Sequence, residues 1–198
     1  MTKVLFIILY IASILSLGYG LWSIIPFFYR LPWVPTAKNR ARRALEMVDL
    51  QSDELLYDLG AGDGRIILMA AEEFGARAIG IEVSPLQYWF TKLRILFNGS
   101  KSKLQARREN FYKSNLSDAD VVFAYLTPQH TVRFQDALAA QLKAGTRVVA
   151  VAFDFPDWKP MDIDDGYLLF AYEMPPKKGG IAAYLADRED SSKNTHGI

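Results

Sequence analysis

No charged side chain interrupts residues 4–29, VLFIILYIASILSLGYGLWSIIPFFY. A helix needs about 20 apolar residues to cross the hydrocarbon core of a bilayer, so this pattern predicts one transmembrane helix, an anchor over residues 1–30. Tyr19, Trp22, Phe27, Phe28 and Tyr29 crowd its C-terminal end, as aromatics do at a membrane interface. The two rivals fit less well. A core helix keeps a polar face, and a signal peptide has a shorter apolar stretch followed by a small-residue cleavage site. Residues 31–37, LPWVPTA, carry two prolines and predict an extended linker.

After the linker the period changes. Ala41, Ala44, Leu45 and Val48 fall at helical spacing and predict a helix over 38–48, with Arg40 and Arg43 off the apolar stripe, free for solvent or for anionic headgroups. Short apolar runs then alternate with helical patterns. Strands are predicted at 55–58, 76–82, 103–108, 120–126 and 146–153, with helices at 65–74, 85–98 and 128–142 between them. Gly75 suits a left-handed C-terminal position, and Ser84-Pro85-Leu86-Gln87 has the form of a capping box with proline at the first helical position. Residues 167–174 and 181–185 read as a last pair of strands around a Pro-Pro-Lys-Lys-Gly-Gly turn. The polar stretch 187–198 lacks periodicity and predicts a disordered tail. Strands alternating with helices imply a parallel α/β sheet, here with an antiparallel C-terminal edge hairpin, in one domain over 31–186.

Composition narrows the chemistry. There are no cysteines, which removes disulfides, thiolate nucleophiles and cysteine-held metals. Two histidines, His130 and His196, do not make a histidine-rich metal site, so no metal is expected. A net charge of +1 gives no global field toward nucleic acid, and no nucleic-acid partner is expected. Arg30, Lys38, Arg40, Arg42 and Arg43 follow the apolar run, whereas only Lys3 and the amino terminus precede it. The positive-inside rule therefore places the domain in the cytoplasm, or in the matrix of a mitochondrion.

The chemistry-bearing stretch is Asp58-Leu59-Gly60-Ala61-Gly62-Asp63-Gly64-Arg65, between a strand and a helix. Glycines there let the backbone take positive φ and approach a ligand. The spacing G-x-G-x-G differs from the G-x-G-x-x-G of dinucleotide sites. Asp58 and Asp63 would repel a pyrophosphate but suit an amino group and a sulfonium, which favours S-adenosyl-L-methionine. Glu82 ends the next strand, twenty-four positions after Asp58, where a carboxylate accepts from both ribose hydroxyls. Glu109 and Asn110 end the third strand where an adenine edge would lie, with Phe111 beside them to pack on the ring. Ligand crevices in open parallel sheets lie beyond the carboxyl ends of the strands. Tyr125 and Thr127 after the fourth strand, and Phe155 and Trp158 after the fifth, are therefore candidates for a channel around the methyl acceptor.

On these residues the chain resembles a known group. Residues 57–65, YDLGAGDGR, look like the first motif of class I methyltransferases, whose sheet is Rossmann-like. Val34-Pro35-Thr36 before the first helix, Gly80-Ile81-Glu82, the strand end at 123–128 and Phe153-Asp154-Phe155-Pro156-Asp157-Trp158 resemble the small lysine methyltransferases of the rotor ring of ATP synthase and of the adenine nucleotide translocase, with their archaeal relatives. The resemblance covers roughly 34–172. It implies a membrane-anchored enzyme that methylates a protein lysine, in a membrane or membrane-proximal protein, with Pro35 and Thr36 covering the cofactor. Ala37 departs from the Pro-Thr-Pro that many relatives carry there. Methylation of a lipid or quinone, and a non-catalytic binding module, are the alternatives. The Leu-Thr-Pro after the fourth strand does not resemble the motif of DNA adenine methyltransferases.

Overall fold

The computed structural model describes residues 2–29 and 35–195, in two compact units, Met1–Val34 and Pro35–Ile198. In the first, helix α1 (Thr2–Tyr29) is 28 residues long, roughly 40 Å at the usual rise. Its stretch Lys3–Leu21 is apolar and long enough to cross a membrane, with none of it buried. The polar Ser13 hydroxyl donates to the Leu9 carbonyl one turn back, at 2.9 Å. Arg30 and Val34 lie outside the described residues.

The second unit opens with α2 (Lys38–Met47), which buries Ala41, Ala44 and Leu45 as the stripe predicts. There follow β1 (Leu55–Leu59), α3 (Arg65–Glu73), β2 (Arg77–Ile81), α4 (Pro85–Leu96), β3 (Leu104–Arg107), β4 (Val121–Ala124), α5 (Pro128–Gln141), β5 (Arg147–Val151), β6 (Asp162–Asp164), β7 (Leu169–Glu173) and α6 (Gly180–Thr195). The strands form one seven-stranded sheet in the order β3-β2-β1-β4-β5-β7-β6. The first five are parallel and β7 runs antiparallel to both β5 and β6. Side chains alternate between two buried layers. Leu56, Val121, Phe123 and Val149 face Leu45 and Ile67, whereas Tyr57, Val122, Ala124 and Val148 face Phe134 and Leu138.

Three expectations are corrected. The edge hairpin exists, but the partner of the 169–173 strand is the short Asp162–Asp164 rather than residues 181–185. Those residues belong to α6, whose Ile181 packs on the core. The helix runs on to Thr195, so residues 187–195 are helical rather than a disordered tail. Arg40 and Arg43 are not free for headgroups. Arg40 donates to the Tyr167 and Leu168 carbonyls at 2.6 and 3.3 Å, and Arg43 pairs with Asp164 at 2.7 Å, tying α2 to the β6–β7 turn.

Candidate active site

Strand register assembles the site. Leu59 pairs with Ile81 on one side and with Ala124 on the other. The residues that follow, Gly60, Glu82 and Tyr125, therefore leave the carboxyl edge of the sheet side by side. The chain reverses its direction of travel across the sheet between β1 and β4, which is where a crevice opens in such folds.

The glycine loop turns sharply here. Gly60, Gly62 and Gly64 have φ of 82°, 57° and 75°, conformations that side chains disfavour. The Gly60 and Ala61 N–H groups both donate to the Ile81 carbonyl, at 2.9 and 3.0 Å. A Cβ on Gly64 would sit 2.6 Å from Thr91 Cγ2, whereas one on Gly60 would meet nothing within 4 Å. The first glycine thus faces open space and the last faces a helix. Thr91 also donates to the Gly62 carbonyl at 2.9 Å, so α4 braces the loop.

Two acids flank the loop in different states. Glu82 is 7% exposed; its Oε2 accepts from the Gly62 N–H at 2.9 Å and its Oε1 from the Ser84 N–H at 2.7 Å. The Ser84 side chain makes no capping bond, so the expected capping box is replaced by this contact to Glu82. Burial raises the Glu82 carboxyl, against the backbone N–H groups of Ser84, Gly62 and Val83. A carboxylate has about four acceptor positions, so these backbone N–H groups leave capacity for a ligand hydroxyl. Asp58 is 2% exposed and its Oδ2 has no hydrogen-bond partner. Burial above all, and then the charges of Glu82 and Asp63, push its carboxyl well above the usual range. An orphaned buried acid beside an open loop is the environment in which a cationic amino group or sulfonium gains most, so the residues fit S-adenosylmethionine.

The other predicted cofactor residues divide. Asp63 does not belong with Asp58. Burial would raise it, but the bonds and charge of Arg65 and the charge of Arg94 hold it below the carboxylate range. Its role in attracting a cation is corrected accordingly. Arg65 also donates to the Thr36 carbonyl at 2.8 Å, which draws the buried Thr36 onto the loop, while Pro35 beside it is exposed. Ala61 is buried under the loop. Glu109 and Asn110 are exposed after β3 and hold the short 3-10 turn Phe111–Lys113. Glu109 accepts from the Ser114 hydroxyl at 2.8 Å and Asn110 from the Tyr112 N–H at 3.1 Å. Phe111 is 8% exposed, stacked on Tyr112 and edge-on to Phe134. Its ring is core rather than a free platform for adenine.

On the acceptor side, Tyr125 and Thr127 are half-buried at the end of β4. Arg40 lies over the Tyr125 ring at 5.6 Å, and the Thr127 hydroxyl makes no capping bond although it precedes α5. Phe155 and Trp158 are corrected. They stack on each other at 4.4 Å, both lie edge-on to Tyr172, and they are 0% and 4% exposed. The Phe155 N–H donates to the Tyr172 hydroxyl at 3.0 Å. This trio is a wall of the core, not a channel. The aromatic that does face out of this loop is Phe153, 41% exposed, which sequence reasoning named within the run 153–158 but left out of the channel residues. It also missed the pair Tyr112–His130, 2.6 Å apart, where burial and then Arg133 lower the histidine. The only signal for it was the scarcity of histidine in the chain.

With this geometry in place, comparison with known proteins is specific. Residues 58–162 match the family model described as the ANTKMT methyltransferase domain, a span that opens on Asp58. A protein-lysine N-methyltransferase of Saccharolobus islandicus (strain REY15A) is 34% identical over 134 residues, covering 67% of this chain and 83% of that protein. An adenine nucleotide translocase lysine N-methyltransferase of Mus musculus is 32% identical over 153 residues, covering 73% of this chain but only 66% of the mouse enzyme. Among solved structures, an RNA methyltransferase from Salinibacter ruber in complex with S-adenosyl-L-homocysteine is 34% identical. It superposes with a TM-score of 0.71 over 74% of this chain and 97% of its own.

Proposed function

The chain belongs to the ANTKMT methyltransferase family and is an S-adenosylmethionine-dependent methyltransferase, and from that premise we propose that its acceptor is the ε-amine of a lysine in a protein at a membrane. The observation that carries the reading is the naming of both the archaeal and the mouse relative as lysine N-methyltransferases, joined to the intact cofactor half of the site. S-adenosylmethionine supplies an electrophilic methyl group when bound. In this reading Asp58 faces its positive charge, Glu82 takes the ribose hydroxyls, the loop from Gly60 to Gly64 lies along it, and Thr36 closes over it.

An amine attacks only when neutral, and free lysine has a pKa near ~10.4. Tyr125 and Thr127, with the outward Phe153, form a half-buried, partly apolar rim at the ends of β4 and β5. Desolvation there lowers the amine's pKa, and holding the nitrogen in line supplies much of the rate. The Thr127 hydroxyl, which makes no capping bond, is our candidate to orient it. Helix α1 holds the enzyme at the bilayer, with the basic residues after it on the cytoplasmic or matrix side.

The likeness to a protein named an RNA methyltransferase supports a second reading, methylation of RNA. One experiment separates the two. Purified full-length protein is incubated with methyl-labelled cofactor, membranes and total RNA, and the label is traced to protein, lipid or RNA. Mass spectrometry then locates it. Methylated lysine in a membrane protein is the expected result; label confined to RNA or to lipid overturns the lysine assignment.

A further inference from the structure

Helix α4 carries an apolar face on each side. Its inner face is ordinary: Thr91 is buried and Ile95 packs on the core. Its outer face is not. Leu86, Trp89, Phe90, Leu93, Leu96 and Phe97 are between 48% and 81% exposed. At about 100° per residue they fill an arc of roughly 120°, opposite the inner face. A surface helix of a globular domain normally turns polar residues there.

The surrounding charge is one-sided. Between Glu82 and Glu109 the chain holds Lys92, Arg94, Lys101, Lys103, Arg107 and Arg108 and no acid, in a protein whose net charge is only +1. Lys92 and Arg94 flank the apolar arc on either side. The acids that approach the helix are Asp63 of the glycine loop, paired with Arg94 at 3.3 Å, and Glu72 of α3, which accepts from Asn98 at 2.5 Å. Trp, Phe and Leu on one face with Lys and Arg beside it is the composition of a helix lying in a membrane interface. We infer that the outer face of α4 is a second membrane contact, seated in the headgroup region of an anionic bilayer. Charge decides for lipid over a protein partner: exposed Lys92 on the helix and exposed Lys101 just beyond it match an anionic surface, with no acid in the sequence between Glu82 and Glu109. The inference stands on α4 itself and not on the anchor role proposed for α1. It also brings the bilayer to the site, since Thr91 and Arg94 on the same helix hold the carbonyls of Gly62 and Asp63, at 2.9 and 2.6 Å.

The absence of cysteine makes the test direct. Single variants Leu86→Cys, Phe90→Cys, Leu93→Cys and Phe97→Cys of the full chain carry a nitroxide and are reconstituted into phosphatidylcholine vesicles with or without phosphatidylglycerol. Ile14→Cys reads α1, and Asp136→Cys on α5 is the aqueous reference. Collisions with oxygen and with a water-soluble nickel chelate are compared by electron paramagnetic resonance. Stripe positions rich in oxygen and shielded from nickel, more so with the anionic lipid, are the expected result. Neutralising Lys92 or Lys101 with glutamine should reduce the immersed population roughly fivefold each, from the attraction of one charge to an anionic surface. Free access of nickel to the stripe overturns the proposal. So does exclusion of both reagents, which means that protein, from this chain or a second copy, covers the face. Because Ile14→Cys is read separately, a failed anchor and a failed interfacial helix give different patterns.

Discussion

The carboxyl edge of the sheet has two halves built on different principles. Beyond β1 and β2, backbone does the work: three glycines at positive φ, N–H groups converging on Ile81 and Glu82, and a buried acid without a partner. Beyond β4 and β5, side chains do it, and the largest of them, Phe155 and Trp158, turn inward to the core. The proposed cofactor half is held by hydrogen bonds within the protein. The proposed acceptor half is half-buried Tyr125 and Thr127 with exposed Phe153, next to a packed wall, an arrangement in which acceptor contacts could vary apart from the glycine loop.

The sharpest way to break this division is Phe155→Ala. If the ring is core, its loss costs about 3–5 kcal/mol of stability, a large part of the total for a domain of this kind. Urea unfolding measures it. At a temperature where the variant stays folded, its KM for the acceptor should be unchanged. A stable variant with a raised acceptor KM would return Phe155 to the channel and dissolve the distinction between wall and rim.

The division also explains what the sequence makes legible. Glycine spacing and the register of Asp58 with Glu82 report backbone geometry, and glycine is the residue whose presence encodes geometry directly. Of the five parallel strands, the four inner ones are legible because buried strands run largely apolar, whereas the edge strand β3 buries only Leu104 and gives a weaker pattern. The acceptor half is not legible, since the alternation Phe153 out and Phe155 in begins only after Ala152 takes φ of 69°, a bend that nothing in the sequence announces. The pairing of Asp63 with Arg65 and Arg94 is hidden too, because a charge motif does not say whether an acid meets a ligand or an arginine. Strand β6 is three residues, two of them acidic, and α6 has few apolar positions to betray its period.

Within the cofactor half, two glycines set apart shape from stability. Gly64→Ala drives a methyl to 2.6 Å from Thr91 in a left-handed residue, and should destabilise the fold by on the order of 1–3 kcal/mol. Gly60→Ala meets no protein atom, so its cost is the left-handed strain alone, about 1–2 kcal/mol. It should lose more cofactor affinity per unit of stability than Gly64→Ala does. Calorimetric titration beside thermal unfolding decides; equal ratios for the two variants would mean that Gly60 does not face the cofactor.

The smallest expected effect on stability comes from Asp58→Asn, and its sign is opposite to the others. Burial, reinforced by Glu82 and Asp63, raises the Asp58 carboxyl well above its usual range. The folded state therefore holds that proton more tightly than the unfolded chain does. The stability this contributes is complete below the unfolded value of about 3.9 and is lost as pH rises through the folded value. Above the unfolded value the acid therefore costs the free protein stability. The amide does not ionise and keeps the shape, so the variant should be more stable at neutral pH by about 1 kcal/mol, the low end for a buried unpartnered group. That corresponds to about 2–4 °C in Tm at this chain length. Below pH ~4 the two proteins should melt together. Saturating S-adenosylmethionine should then raise the Tm of the wild type and leave the variant nearly unmoved, because the cation that balances the acid no longer finds it. A variant that melts lower at neutral pH, or that keeps full cofactor affinity, would show that Asp58 is a structural acid, and the line drawn between it and Asp63 would vanish.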